Sequence, residues 1–163
     1  MYRFVPMTDE YAKEIAFEWK YDGEYSFYDM TADEEDLEEF LQPDKSGYFA
    51  VEREGRLIGF FSFQNPGDGI LDIGLGMKPD ITGKGQGFAF LQEGMKFAVD
   101  AYQPELITLS VAAFNERAIK VYDKAGFKRA GIFMQETNGS TYEFLKMKLD
   151  LKENQDVFIA SRF

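Results

Sequence analysis

The chain has 163 residues, a formal net charge of −11, and neither cysteine nor histidine. This length suits one domain with its own core, and an apolar content of 45% excludes a disordered chain. The acidic balance argues against a nucleic-acid partner, because phosphates attract basic proteins; it favours cationic partners such as amines, or simply keeps the chain soluble.

The missing residue types exclude several kinds of site. Without cysteine there is no disulfide framework and no thiol nucleophile, and without histidine there is no serine–histidine pair. We expect no metal site, since only carboxylates remain as ligands and no loop shows their spacing. No run of about 20 apolar residues predicts a membrane span. The N-terminus lacks the features of a signal peptide, so a cytoplasmic location is predicted.

The N-terminal part of the chain predicts one strand and two helices. Residues 1–7 form a short apolar segment typical of a strand. Residues 8–20 predict a helix, with Thr8 as its N-cap and acidic residues in its first turn. Residues 21–30 are aromatic, acidic and aperiodic, which predicts a loop. Residues 33–41 predict a short acidic helix that ends before a proline.

Three strands are predicted next. Residues 47–54 and 56–64 form a hairpin around the turn at Glu54-Gly55. A second turn at residues 65–69 leads into a strand over residues 70–77. Antiparallel pairing of these strands is therefore expected.

The C-terminal half alternates helices and strands. The predicted elements are a helix over residues 87–102, a strand over 105–113, a helix over 115–125, and strands over 127–135 and 141–151. The order β-α-α-β-β-β-α-β-α-β-β predicts an α/β fold (α+β, mixed sheet) in a single domain over residues 1–163. Residues 153–163 form a C-terminal tail whose structure the pattern does not indicate.

The stretch MKPDITGKGQGFAFL, residues 77–91, places three glycines between a strand and a helix. This arrangement exposes helix N-terminal amides to an anion. A Walker A loop needs Ser or Thr after Lys84, but Gly85 follows it. The dinucleotide pattern fails as well, because Phe88 or Phe90 stands where its third glycine belongs. On these residues alone, a phosphate loop and a tight packing turn remain equally open.

Two segments together resemble the GNAT superfamily of acetyl-CoA-dependent N-acetyltransferases, and the resemblance is specific over residues 70–133. The first segment has a strand ending in Leu-x-Met-x-Pro, followed by a glycine motif. The second is NERAIKVYDKAGF, with Asn, Tyr and Gly-Phe at the family's spacing. The matching residues are Leu75, Met77, Pro79, Thr82, Gly85, Gly87, Asn115, Tyr122, Gly126 and Phe127.

The resemblance implies that the pantetheine arm of acetyl-CoA pairs with the strand and that its pyrophosphate lies on the loop amides. The implied cofactor contacts are Leu75, Gly76, Met77, Thr82, Gly83, Lys84, Gly85, Gln86, Gly87, Phe88 and Asn115. Asn115 is also a natural N-cap, and the two roles do not exclude each other. Thr82 departs from the family's Arg or Gln, which removes a charge or an amide from the loop.

The resemblance also implies a catalytic role for Tyr122, as the general acid that protonates the leaving thiolate. The alternative is a core tyrosine on the apolar stripe of its helix. Some family members carry a glutamate base where this chain has Ser110. Asp72 or Glu24 could serve as the base instead, and each could equally be a solvated charge or a structural cap.

The predicted loop before the second helix is the candidate acceptor site. Its aromatic and acidic side chains could form the walls of a groove and hold a cation. The proposed acceptor contacts are Trp19, Glu24, Tyr25 and Tyr28, with Tyr21, Asp22, Phe27 and Asp29 beside them. A lid packed on the core and a dimer surface are the alternatives.

The sequence thus predicts an N-acetyltransferase that moves the acetyl group of acetyl-CoA directly to a primary amine, without a metal. The acidic loop favours a small cationic amine, and a protein or peptide amine remains open. The rivals are a non-catalytic acyl-CoA-binding sensor and a nucleotide-phosphate binder. A homodimer through the C-terminal strands and tail is also predicted.

Overall fold

The computed structural model describes residues 2–152. Its strands are β1 Tyr2–Pro6, β2 Tyr48–Arg53, β3 Arg56–Gly67, β4 Ile70–Met77, β5 Leu106–Ala112, β6 Lys128–Thr137 and β7 Ser140–Asp150. Its helices are α1 Asp9–Glu18, α2 Glu34–Phe40, α3 Gly87–Tyr102 and α4 Glu116–Lys124. Short 3₁₀ turns lie at Gly23–Tyr28, Met30–Ala32 and Pro79–Ile81. The predicted element order is confirmed.

Side-chain caps set where the helices begin. The Tyr11 N–H donates to Thr8 Oγ1 at 3.1 Å, as the sequence predicts for the start of α1. The Asp36 N–H donates to Asp33 Oδ1 at 3.1 Å, which makes Asp33 the cap of α2 rather than its first helical residue. The predicted turn at residues 65–69 is shorter in the structure, because β3 continues to Gly67.

The seven strands form one mixed sheet in the order β1-β2-β3-β4-β5-β7-β6. Every neighbouring pair is antiparallel except β4 and β5, which are parallel. Helix α3 makes the crossover that a parallel pair requires. The sheet therefore consists of two antiparallel halves, β1 to β4 and β5 to β7, that meet at β4 and β5.

Two apolar clusters cover the two faces of the sheet. The larger joins α3 and α4 to one face and contains Phe61, Leu91, Met95, Ile107 and Leu109. The smaller lies under α1 and α2 and contains Ile15, Trp19, Phe40 and Leu57, with Phe60 packed against it. Since neighbouring residues of a strand point to opposite faces, Phe60 and Phe61 mark the two sides.

No helix within residues 2–152 combines the length and apolar character needed to cross a membrane. The predicted tail, residues 153–163, lies outside the described residues.

Candidate active site

The sheet opens into a cleft between β4 and β5. Their parallel pairing ends at the pair Asp72–Thr108. Beyond it, β4 continues to Met77 and β5 to Ala112 without pairing to each other. The cleft is thus bounded by residues 73–77 on one side and 109–112 on the other, and backbone groups on these edges are open to a ligand.

Part of the β4 backbone faces this cleft. The Lys78 N–H donates to Ile58 O of β3 at 2.8 Å, so the N–H and C=O of Met77 point away from β3. Leu75, two residues earlier, presents its backbone in the same direction. Gly76 lies between them and faces β3, opposite Phe60. Of the three residues predicted to pair with pantetheine, Leu75 and Met77 therefore offer their backbone to the cleft.

The glycine loop follows β4 and leads into α3. Gly83 and Gly85 have φ values of 72° and 76°, which L side chains rarely adopt. The N-cap of α3, Gln86, makes no side-chain cap hydrogen bond, so the first amides of the helix have no such partner. The helix dipole adds positive potential at these amides. The loop therefore has the features of an anion site, while Gly87 lies close to α4, 3.6 Å from Val121 Cγ2 when a Cβ is placed on it.

The side chains of this loop have separate roles. The Thr82 hydroxyl donates to Pro79 O at 2.8 Å and thus turns back on its own turn. Gln86 Oε1 accepts from Arg53 at 2.9 Å. Lys124 Nζ lies 4.4 Å from the centre of the Phe88 ring. Lys84 is exposed. Backbone amides, rather than these side chains, are therefore the loop's main donors.

Arg117, which sequence reasoning missed, brings a cation to the glycine loop. Its Nη1 would lie 2.9 Å from a Cβ placed on Gly83, and its Cζ lies 4.1 Å from the centre of the Tyr25 ring. A signal was present in the sequence, because a cation in the first turn of α4 opposes the helix dipole. Arg117 therefore supplies the positive charge that Thr82 does not.

Both the oxygen and the nitrogen of the Asn115 side-chain amide make hydrogen bonds. Its Oδ1 accepts from the Ala118 N–H at 3.1 Å and caps α4, and its Nδ2 donates to the Tyr28 hydroxyl at 3.0 Å. Burial raises the pKa of Tyr28, and the hydrogen bond from Asn115 acts in the opposite direction, as does the nearby Ala112 backbone. Asn115 thus links the start of α4 to the β5 wall of the cleft.

Tyr122 lies on α4 near this group. Its ring packs edge-on against Phe127 at 6.0 Å between centroids. Burial, and then the nearby Tyr28, raise the pKa of Tyr122 above its ordinary value, so the hydroxyl stays protonated. Within residues 2–152 the Tyr122 hydroxyl makes no hydrogen bond. Both predictions for Tyr122 are therefore compatible: its ring packs in the core, and its hydroxyl is free to donate a proton.

The aromatic loop, residues 21–29, contacts both sides of the cleft. The Tyr21 hydroxyl donates to Met77 O on the β4 side at 2.7 Å, whereas the Tyr28 hydroxyl accepts from Asn115, which follows β5, at 3.0 Å. Burial and the nearby Asp29 raise the pKa of Tyr21, which keeps this donor protonated. The loop therefore lies across the opening of the cleft.

The predicted acceptor residues occupy different surroundings. Tyr25 and Tyr28 lie beside Arg117 and Asn115. Trp19 is only 3% exposed and packs against Phe60, so the structure places it in the core and not on a groove wall. Glu24 is exposed at the outer surface of the loop.

Asp72, the other candidate base, lies in a cavity of about 570 Å³ at the inner end of the cleft. Its Oδ1 accepts from the Thr108 hydroxyl at 2.6 Å and lies 3.7 Å from Lys146 Nζ. Gln64, the strand partner of Asp72, also lines the cavity. By strand alternation these side chains share the sheet face of Phe60, opposite α4. Among residues 2–152 no cluster of Asp or Glu is suited to hold a metal ion.

Comparison with known proteins gives the family. The acetyltransferase (GNAT) family model matches residues 11–127. The mycothiol acetyltransferase of Streptomyces avermitilis is 35% identical over 86 residues, 52% of this chain and 28% of that protein. That of Acidothermus cellulolyticus is 30% identical over 126 residues, 66% of this chain and 38% of that protein. The chain thus spans less than two fifths of the length of these relatives.

Solved structures share the fold. A chimera of the spermidine N-acetyltransferase SpeG of Vibrio cholerae and hSSAT superposes with a TM-score of 0.72 at 18% identity, covering 93% of this chain and 96% of that one. A GNAT-family acetyltransferase of Bacillus anthracis superposes with a TM-score of 0.72 at 16% identity, covering 93% and 95%. Since the family model matches most of the chain, the protein belongs to the GNAT family of acetyltransferases.

Proposed function

We propose that this chain transfers the acetyl group of acetyl-CoA directly to a primary amine. The observation that carries the proposal is the cleft between β4 and β5, which has an anion-binding glycine loop at its outer end and a carboxylate at its inner end. A linear ligand with phosphates at one end and a thioester at the other fits this arrangement of the two ends of the cleft. Membership in the GNAT family supports the same donor.

The donor would be held mainly by backbone groups. The pantetheine arm would pair with Leu75 and Met77, and the pyrophosphate would lie on the amides of residues 83–88. Arg117 would add a charge-assisted contact beside Gly83. Pairing at Met77 requires the Tyr21 hydroxyl to share or release the carbonyl that it now contacts.

The ammonium nitrogen must lose two protons, and the leaving thiolate must gain one. Asp72 accepts the first proton from the acceptor's ammonium group, directly or through water, and the free amine attacks the thioester carbonyl carbon. The new C–N bond forms as the C–S bond breaks, and Tyr122 donates its proton to the leaving thiolate. The second proton of the nitrogen, which is acidic once the nitrogen carries the acyl group, passes through water to the Tyr122 oxygen, and Asp72 releases its proton to solvent. Positioning of both reactants supplies much of the rate. The chain contains no cysteine, so no acyl-cysteine intermediate can form.

Tyr122→Phe tests this proposal. We expect the rate of thiol release from acetyl-CoA with an amine panel to fall by about 10²–10⁴-fold while the affinity for CoA, measured by calorimetry, stays unchanged. Because the protein has no thiol of its own, all measured thiol is CoA. Since the pKa of Tyr122 is raised, the wild-type rate should not decline before about pH 10 through loss of this acid.

Two outcomes would contradict the proposal. Tight CoA binding without thiol release from any amine would favour the non-catalytic acyl-CoA-binding module. Tighter binding of ATP than of CoA would favour a nucleotide-phosphate binder.

The predicted homodimer and the cytoplasmic location belong to the proposal as well. A dimer through the C-terminal strands is supported by β6, an edge strand on which Ile132 and Met134 are 65% and 61% exposed. Sedimentation at micromolar concentration measures the oligomeric state, and a monomer there would remove the dimer from the proposal.

A further inference from the structure

The cavity at the inner end of the cleft has a mixed set of polar groups that bears on the acceptor. Its polar lining consists of Gln64, Asn65, Asp72, Thr108 and Lys146. These residues come from β3, β4, β5 and β7, so the cavity spans the junction of the two sheet halves. A ligand here would lie directly below the point where the strands separate.

Asp72 has one oxygen available for a cation. Both of its described contacts, with the Thr108 hydroxyl at 2.6 Å and with Lys146 at 3.7 Å, are made by Oδ1. Within the described residues Oδ2 has no hydrogen-bond partner. The Thr108 contact fixes the carboxylate, so Oδ2 is a positioned acceptor for an ammonium group.

The same cavity offers donors for an anion. Within residues 2–152, Lys146 makes a single long ion pair, with Asp72, and it is 42% exposed, so its ammonium retains donors for a ligand. Asn65 Oδ1 accepts from the Gly67 N–H at 3.2 Å, which leaves the Asn65 amide NH₂ group to donate. Lys148, exposed on the same sheet face two residues beyond Lys146, adds positive potential.

These groups disfavour a second cation. A polyamine with one ammonium on Asp72 would place its next ammonium near Lys146, which like charges oppose. The acidic side chains of the aromatic loop do not compensate, since Asp29 accepts from the Tyr21 N–H at 2.8 Å and Asp22 and Glu24 are exposed. The expectation of a simple cationic amine rested on those three residues.

We propose that the acceptor is an amine that carries a carboxylate close to its amino group, as an amino acid does. The ammonium lies on Asp72 Oδ2, and the carboxylate lies on Lys146 with the Asn65 amide beside it. Asp72 lies at the last β4–β5 pair, where the cleft begins, so an amine held on it lies next to the cleft in which the proposed donor binds. This inference rests on the proposed acetyl transfer and names its substrate class.

Matched acceptor pairs test the inference. Thiol release from acetyl-CoA is measured with L-alanine against ethylamine, L-phenylalanine against phenethylamine, and L-lysine against cadaverine, with spermidine added. We expect kcat/KM to be about tenfold or more higher for the carboxylated members that react, since a charged hydrogen bond is lost in their partners.

Lys146→Met identifies the residue responsible. It should lower kcat/KM, through KM, about tenfold more for the carboxylated acceptors than for the decarboxylated amines, because any effect through Asp72, which Lys146 contacts, is common to both groups. Lys152→Met is the matched control, because it removes the same charge from a lysine that pairs with Glu105 at 3.5 Å outside the cavity lining. It should change neither group.

The inference is overturned if decarboxylated amines or spermidine react as well as the amino acids, or if Lys146→Met slows both groups equally. Either result leaves acetyl transfer itself intact. If no amine of either kind yields thiol, the proposed function fails and the acceptor assignment fails with it.

Discussion

The positive charge beside the glycine loop comes from one side chain outside that loop. Thr82 stands where the family motif has Arg or Gln, and its hydroxyl is bound to Pro79 O. Arg117 reaches the same loop from α4 and lies beside Gly83. The cation is therefore present, although a different element supplies it.

Arg117→Ala should weaken the binding of CoA but not the binding of a ligand that lacks phosphates. We expect the Kd for CoA to rise about 10- to 100-fold, because a charge-assisted contact to the pyrophosphate is lost. The Kd for pantetheine should not change. Calorimetry at two salt concentrations measures both, and the variant's CoA affinity should depend less on salt.

Arg129→Ala serves as the control for this prediction, since it removes an equal charge from an exposed pair with Asp123. An equal loss of affinity for pantetheine in Arg117→Ala would show that the arginine supports the fold instead of the phosphates.

Sequence reasoning could name the residues of the motif but not the partners that come from elsewhere in the chain. Asn115 was expected to cap α4, and it does. The contact of Arg117 with Gly83 depends on how α4 packs across the start of α3, which local patterns do not encode. The same holds for Lys146, which reaches Asp72 only through the order of strands β4, β5 and β7.

At the scale of elements, the aromatic loop is the least regular part of the site and the most connected. Its 3₁₀ turn, Gly23–Tyr28, has no buried side chain. The loop is held instead by ring packing of Phe27 against Tyr142 and Phe144 and by the hydroxyls of Tyr21 and Tyr28. Its position over the cleft therefore depends on a few specific contacts.

Tyr21→Phe should loosen the aromatic loop. It removes the donor to Met77 O, and we expect the free energy of unfolding to fall by about 1 kcal/mol, measured by urea denaturation. Tyr142→Phe is the control, because that ring contacts Phe27 and its hydroxyl has no described hydrogen bond; it should stay within about 0.5 kcal/mol of wild type. A Tyr21→Phe protein as stable as wild type would contradict the assigned role of this bond.

The elements themselves were largely predictable. The turn at Glu54-Gly55 indicates the β2–β3 hairpin, and helical spacing indicates α3. The ends of the elements were less predictable. Strand β3 continues through Asn65 and Pro66, although the composition of this segment predicts a turn. Pairing with β4, which resumes at Gly67 after an irregularity, overrides that local preference.

For the whole molecule, the junction of the two sheet halves is the central feature. Among the described strands, β4 and β5 alone pair across the two halves, and their parallel pairing ends at Asp72 and Thr108. The element order predicts a parallel pair in this region, but the length of the pairing depends on tertiary structure. A ligand that spans the cleft would add contacts between the two halves, which the larger apolar cluster and the β4–β5 pairing already join.

Saturating CoA should therefore stabilise the folded protein as a whole. At about 100 times its Kd, a ligand bound only by the folded state adds about 2.7 kcal/mol to the free energy of unfolding, which corresponds to a rise in Tm of about 5–10 °C. Differential scanning fluorimetry with and without CoA measures this shift, with adenosine as a control ligand. An unchanged Tm at saturating CoA would contradict binding across the cleft.

The stack of Tyr25, Arg117 and Gly83 has a consequence for how this protein can diverge. One arginine lies against both the aromatic loop, where the acceptor is predicted to bind, and the glycine loop, where the donor is proposed to bind. A mutation selected at Tyr25 for a new acceptor would therefore also alter donor affinity, and a compensating change at Arg117 would be needed to restore it. Among related chains we expect substitutions at positions 25 and 117 to occur together.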